Sequence, residues 1–182
     1  NSFVAGNLKR NLLAGGGSYD YPVGSALKGY QRLNFNIFPP HNRTNLQIGF
    51  INTPAAYPVL GPECVSAVFD QPSLNNGLWN ILTVPVVGST GNFNLTAYPT
   101  NFTNAQAGYT VMMKNGPAPW TLEGTCVAAS PISAIQRNGM STLGIGVQFG
   151  IAQALTPLPI ELLSFDAFAK TKSIGLKWIT GS

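Results

Sequence analysis

His41 is the single imidazole of the chain and sits in a Pro39-Pro40-His41-Asn42 turn. An imidazole can serve a Ser or Cys nucleophile as general base, but no Gly-x-Ser-x-Gly elbow or Cys–His arrangement accompanies it. It reads as a structural or solvent-exposed turn residue. The six carboxylates, Asp20, Glu63, Asp70, Glu123, Glu161 and Asp166, are widely spread. A glycosidase needs two of them facing each other across a cleft, and nothing in the spacing favours such a pair. Cys64 and Cys126 show no CxxC spacing, and with one histidine they supply too few ligands for zinc. Outside the cell they would form a disulfide closing a long loop, worth roughly 4 kcal/mol; the alternative is two buried thiols acting as small hydrophobes. Gly15-Gly16-Gly17 lacks the Lys-Ser/Thr that would hold phosphates, and Gly144-x-Gly146-x-x-x-Gly150 has the wrong spacing for a dinucleotide loop. That second stretch reads as part of an alternating strand. No catalytic, cofactor or metal site is expected.

Binding chemistry is thin as well. Asn42, Asn94 and Asn101 begin Asn-x-Ser/Thr sequons, and Tyr57, Trp79, Tyr98 and Trp120 could stack on sugars if exposed. Strand tryptophans are commonly core, so a monomeric surface adhesin or carbohydrate-binding module with surface glycans as partner is the second reading. The net charge is +4 with pI near 9.2. The ten Lys and Arg residues are scattered, with Lys9-Arg10 and Lys170/Lys172 the densest pairs. That distribution reads as a solvated, mildly basic surface rather than a nucleic-acid stripe. No membrane span is expected, since the longest apolar candidate, Leu143 to Leu155, is broken by Gly144, Gly146, Gln148, Gly150 and Gln153.

The elements that must carry these residues are strands. Only 9% of residues are charged while 45% are apolar, against roughly 25% charged in an average soluble domain. Such a surface fits a protein packed against copies of itself, or an extracellular β protein rich in amides. Helical periodicity is nearly absent, and 20 Gly with 14 Pro punctuate the chain. Leu33, Phe35 and Ile37 alternate with Asn34 and Asn36, and Leu46, Ile48 and Phe50 follow the Pro-Pro turn. Further runs cover 64–69, 78–87, 93–98, 109–113, 125–129, 132–137 and 141–151, and Asn138-Gly139 reads as a two-residue hairpin turn. Many short strands predict an all-β chain with a β-sandwich or jelly-roll head. The head spans 1–152, a Pro-containing linker 153–159, and a C-terminal strand tail 160–182. Asn1 is preceded by neither Met nor a leader, so a signal peptide is expected to have been removed or to lie outside this sequence.

The tail carries the sharpest signal. Ile160, Leu162, Leu163, Phe165 and Phe168 make one apolar strand, and Ile174, Leu176 and Trp178 alternate along a second. Ile160 and Leu162 point one way and Leu163 and Phe165 the other, so the first strand expects cover on both sides. A lone two-stranded ribbon does not stay folded in water. Leu158-Pro159-Ile160-Glu161-Leu162-Leu163-Ser164-Phe165 followed by Leu176-Lys177-Trp178 resembles an element of secreted Bacteroidota surface proteins. In that family two such strands open a fibronectin-III-like module near the C-terminus, and export commonly uses the type IX secretion system. The head is similar more loosely, at Tyr21-Pro22-Val23-Gly24 with Tyr30 and Arg32, Gly77-Leu78-Trp79, Pro119 to Gly124, Arg137-x-Gly139 and Leu143 to Gly146. The family continues beyond its tryptophan with Thr-Ala-Ser-Glu and more strands, where this chain reads Ile179-Thr180-Gly181-Ser182. The resemblance implies a secreted, cell-surface location and no catalytic residues. The expected function is a non-enzymatic subunit of an extracellular fibre or surface appendage. Its partner is itself, in a helical filament built head-to-tail by strand exchange. Its tail strands (Ile160, Leu162, Leu163, Phe165, Phe168, Ile174, Leu176 and Trp178) dock on a neighbour.

Overall fold

A computed structural model describes residues 2–52, 60–63, 65–69, 77–83, 90–100, 109–127, 134–154, 161–170 and 173–181. The described chain is all-β. Its strands are β1 (Asn7–Asn11), β2 (Gly17–Ser25), β3 (Gly29–Ile37), β4 (Asn45–Ile51), β5 (Leu60–Glu63), β6 (Val65–Phe69) and β7 (Leu78–Thr83). They continue as β8 (Phe93–Tyr98), β9 (Tyr109–Asn115), β10 (Thr125–Cys126), β11 (Ile135–Met140), β12 (Val147–Ala154), β13 (Glu161–Lys170) and β14 (Ser173–Gly181).

One five-stranded sheet has the order β10-β11-β8-β3-β2, and a seven-stranded sheet the order β1-β4-β7-β12-β6-β5 with β9 on the other side of β12. All ladders are antiparallel. Strict alternation drives the two sheets together. Leu33, Phe35 and Ile37 of β3 and Phe93, Leu95 and Ala97 of β8 are buried while the residues between them are half-exposed. They face Leu46, Ile48, Trp79, Ile81, Val111, Val147, Phe149 and Ile151 of the other sheet in a single core. Phe35 binds the layers: its ring lies 5.4 Å from Phe93 in its own sheet and 5.9 Å from Phe149 across the sandwich. The expected sandwich head is therefore present. A smaller cluster of Leu78, Met112 and Trp120 covers the outer side of the seven-stranded sheet.

Three local expectations are corrected. Asn138-Gly139 is not a hairpin turn. Both residues lie inside β11, where the ladder to β8 slips between Arg137 and Met140 and Gly139 takes φ +67°. A glycine in the left-handed region makes this a bulge, which keeps the buried Met140 opposite Phe93. β11 and β12 then belong to different sheets. Gly144 and Gly146 are likewise in the turn before β12, with Gly146 at φ +82°, rather than in a strand. Nor are the cations all solvated: Lys28, Arg43 and Arg137 are buried.

The tail strands form a third sheet of their own, β13-β14, which shares no ladder with either sandwich sheet among the described residues. β12 runs to Ala154, and residues 155–160, including Ile160, lie outside the described residues.

Candidate functional site: the loop end of the sandwich and the tail hairpin

The sandwich has two distinct ends. β12 begins at Val147 at one of them and ends at Ala154, roughly 25 Å away at about 3.3 Å per residue. The start of β12 adjoins the ends of β3, β7 and β9 and the beginnings of β4 and β8, as the ladders require. We call this the loop end. The chain towards the tail leaves from the opposite end.

At the loop end the segments are stitched together by polar side chains. Leu13 carbonyl accepts from His41 Nε2 at 2.9 Å, and His41 Nδ1 accepts from the Arg43 amide at 3.2 Å. A carbonyl can only accept and an amide N–H can only donate, so the ring is the neutral Nε2–H tautomer with both nitrogens engaged. His41 is a structural brace. Asn42 Oδ1 accepts from the Thr90 amide at 2.9 Å. Arg43, buried beside the Phe93 ring, donates from Nη2 to the carbonyls of Gly91 at 2.8 Å and Ser141 at 2.9 Å. Burial pushes its guanidinium down, and the Glu123 carboxylate opposes that shift.

Glu123 closes the ring of loops. Its Oε1 accepts from the Ser141 amide at 2.7 Å, the Ser141 hydroxyl at 2.7 Å and the Thr142 amide at 2.8 Å. Burial pushes the carboxyl up, but these hydrogen bonds together outweigh it and hold it below the ordinary carboxylate range. Gly91 sits at φ +101°, and an added Cβ would lie 2.7 Å from His41 Cβ. Only glycine fits that approach without strain.

Between these braced loops lies an open cleft of ≈ 700 Å³ lined by Phe38, Pro39, Pro40, His41, Asn42, Thr90, Gly91 and Asn92. A second hollow of ≈ 280 Å³ shares Thr90 and Gly91 with it and extends to Ser141, Thr142, Leu143 and Gly144. Among the described residues no charged side chain lines either. Three apolar side chains stand around them in solvent: Leu13 (70% exposed), Phe38 (39%) and Ile145 (69%).

The hairpin supplies a matching surface. The register opposes Phe165 to Trp178, Ala167 to Leu176 and Ala169 to Ile174. Opposed residues share a face. The ladder slips between Leu162 and Ser164, leaving Leu163 as the extra residue of a bulge, and Leu162 pairs with Thr180. By this register Leu162 and Phe165 share a face, where simple alternation along the sequence puts them on opposite ones. By register Leu162, Phe165, Ala167, Ala169, Ile174, Leu176 and Trp178 share one face with Thr180. Ser164, Asp166, Phe168, Lys170, Ser173, Lys177 and Ile179 belong to the other. Of the expected tail residues, Phe168 therefore falls on that second face. Ile174 is 73% exposed.

The other candidates are dispersed. Trp79 is fully buried in the core and Trp120 nearly so, which removes both from a sugar-stacking surface. Tyr98 is half-exposed on the outer face of the five-stranded sheet with the Arg32 guanidinium 3.7 Å over its ring. Arg32 Nε lies 3.9 Å from Asp20. Asn94 is on β8 with its Oδ1 accepting from the Gly139 amide at 3.0 Å, and Asn42 is exposed. Cys126, on β10, is disulfide-bonded. Tyr57, Cys64, Asp70 and Asn101 lie outside the described residues. Among the described residues no group of three or more His, Cys, Asp or Glu could hold a metal ion, and no helix is long and apolar enough to cross a membrane. Arg43 and Glu123, which organise the loop end, left no signal in the sequence, because their partners are mostly backbone groups on segments distant along the chain.

Compared with known proteins, the chain matches no family model, and no curated protein or solved structure matches it.

Proposed function

We propose that this chain is a non-catalytic structural subunit of an extracellular fibre or surface appendage, joined head-to-tail by docking of its C-terminal hairpin on a neighbouring copy. The observation that carries the reading is the β13-β14 sheet, which shares no ladder with the sandwich among the described residues and whose register brings seven apolar residues and Thr180 to one face. A two-stranded ribbon is not stable in water on its own, and Ile174 on the apolar side of this one is 73% exposed; apolar surface of this kind drives association. A low charge density favours close packing of copies. The extracellular location rests on the resemblance of 158–178 to secreted surface proteins.

Light scattering and negative-stain electron microscopy of the purified chain test the reading, alongside a variant lacking 157–182. Concentration-dependent oligomers or filaments that disappear on deletion are expected, with the head keeping its thermal midpoint. A chain that is strictly monomeric with its hairpin intact sinks the reading.

A further inference from the structure

We infer that the loop end of the sandwich is the acceptor for the hairpin of a second copy, so that subunits join with a defined polarity. This rests on the tail-docking reading and adds to it the surface that receives the tail.

The direction of the strands carries the first part of the argument. Because β12 starts at the loop end and finishes at the opposite end, the chain departs towards the hairpin from the end that lacks the cleft. A donor tethered through Ala154 at one end and an acceptor at the other make a heterologous contact, which propagates without exhausting itself. The chemistry of the two surfaces carries the second part. The described residues that line the cleft and the adjoining hollow are uncharged, which suits an uncharged partner surface. Leu13, Phe38 and Ile145 are solvent-exposed around them, and such apolar exposure marks a docking surface when it clusters. By register the hairpin gathers Leu162, Phe165, Ile174, Leu176 and Trp178 on one uncharged face, with Thr180 beside them, to match.

The third part is preorganisation. His41, Asn42, Arg43 and Glu123 hold the contributing loops to one another through backbone hydrogen bonds, so little ordering is left to the moment of binding. Leu13 in particular is fixed through its carbonyl to His41 while its side chain remains in solvent.

A complementation experiment tests the inference with full-length chains. An acceptor-impaired variant carries Leu13→Asp and Ile145→Asp, and a donor-impaired variant carries Leu176→Asp and Trp178→Asp. Leu13 and Ile145 are largely exposed, so a circular-dichroism melt should leave the acceptor variant's midpoint unchanged. Each variant alone should lose assembly by at least tenfold in apparent association constant, as truncation of a central interface residue does. Mixed together they should form heterodimers through the one intact donor and the one intact acceptor, and stop there. If the acceptor variant assembles like the wild-type chain while the donor variant does not, the acceptor lies elsewhere and the inference is overturned with the tail-docking reading intact. If the donor variant assembles normally, the tail-docking reading itself falls.

Discussion

Arg137 offers the most direct test of how the two sheets are held together. It lies on β11 with its side chain fully buried between the layers. Nε donates to the Glu123 carbonyl at 2.7 Å, Nη2 to the Gly124 carbonyl at 2.9 Å, and Nη1 to Thr110 Oγ1 on β9 at 2.9 Å. One guanidinium thus ties the five-stranded sheet, the seven-stranded sheet and the 123–124 loop. Consider Arg137→Met, which keeps the length and removes the fork. Three hydrogen bonds from a charged donor are worth about 1.5–3 kcal/mol each. Against that stands the relief of burying a charge, which costs several kcal/mol. The two carbonyls lie in part-buried bonds and can recover water, whereas the Thr110 bond is buried. We expect a net loss of about 3 kcal/mol. In a chain of this length that lowers the thermal midpoint by roughly 6–12 °C. Thr110→Val removes the deepest bond alone and should cost about 1 kcal/mol, and the double variant should lose less than the sum. Urea unfolding followed by tryptophan fluorescence reads all three, since Trp79 sits in the same core. An Arg137→Met protein within 1 kcal/mol of wild type would refute the idea that this side chain links the layers.

Three further outcomes follow from the geometry. Glu123→Gln should destabilise the protein at neutral pH. The folded carboxyl is depressed, so its contribution is present above the ordinary carboxylate range and disappears as pH falls through the folded value; wild type and variant should therefore converge in acid melts only once the pH drops below the ordinary carboxylate range. Tyr21 Oη is buried in the core with no hydrogen-bond partner, so Tyr21→Phe should leave stability unchanged or raise it by a few tenths of a kcal/mol in chemical denaturation. Trp120→Ala should cost about 3 kcal/mol, because Trp120 covers Leu78 and Met112 outside the sandwich, and it should raise binding of a hydrophobic dye by baring that cluster.

How much of this was legible beforehand depends on whether the signal is carried by side-chain periodicity. β3, β4 and β8 alternate cleanly because each has one face in the core, and their positions follow from the sequence. β1 escaped notice because four of its five residues are exposed. β2 carries Pro22 within it, and the residue is tolerated there because β2 is an edge strand of its sheet. Asn138-Gly139 has the composition of a hairpin turn, and only the pairing of Met140 with Phe93 decides that it is a bulge instead. The hairpin strands were legible; the extra residue at Leu163 was not, since register depends on the partner strand. Cys126 was placed in a strand-like run and lies on β10. The loop end was invisible in the sequence, because its braces reach segments far along the chain: Arg43 spans to Gly91 and to Ser141.

The buried arginines also say something about how such a protein tolerates change. Arg43 donates to the main-chain carbonyls of Gly91 and Ser141, and Arg137 to those of Glu123 and Gly124. A carbonyl is supplied by every amino acid, so the loops that receive these guanidinium groups can exchange side chains freely while keeping the tie. What they cannot change is their length or path, since a one-residue insertion moves the carbonyl out of reach. Such a scaffold lets the chemistry of its exposed rim drift towards new partners while its interior stays locked, with two cations acting as fixed pegs for sequence-blind loops.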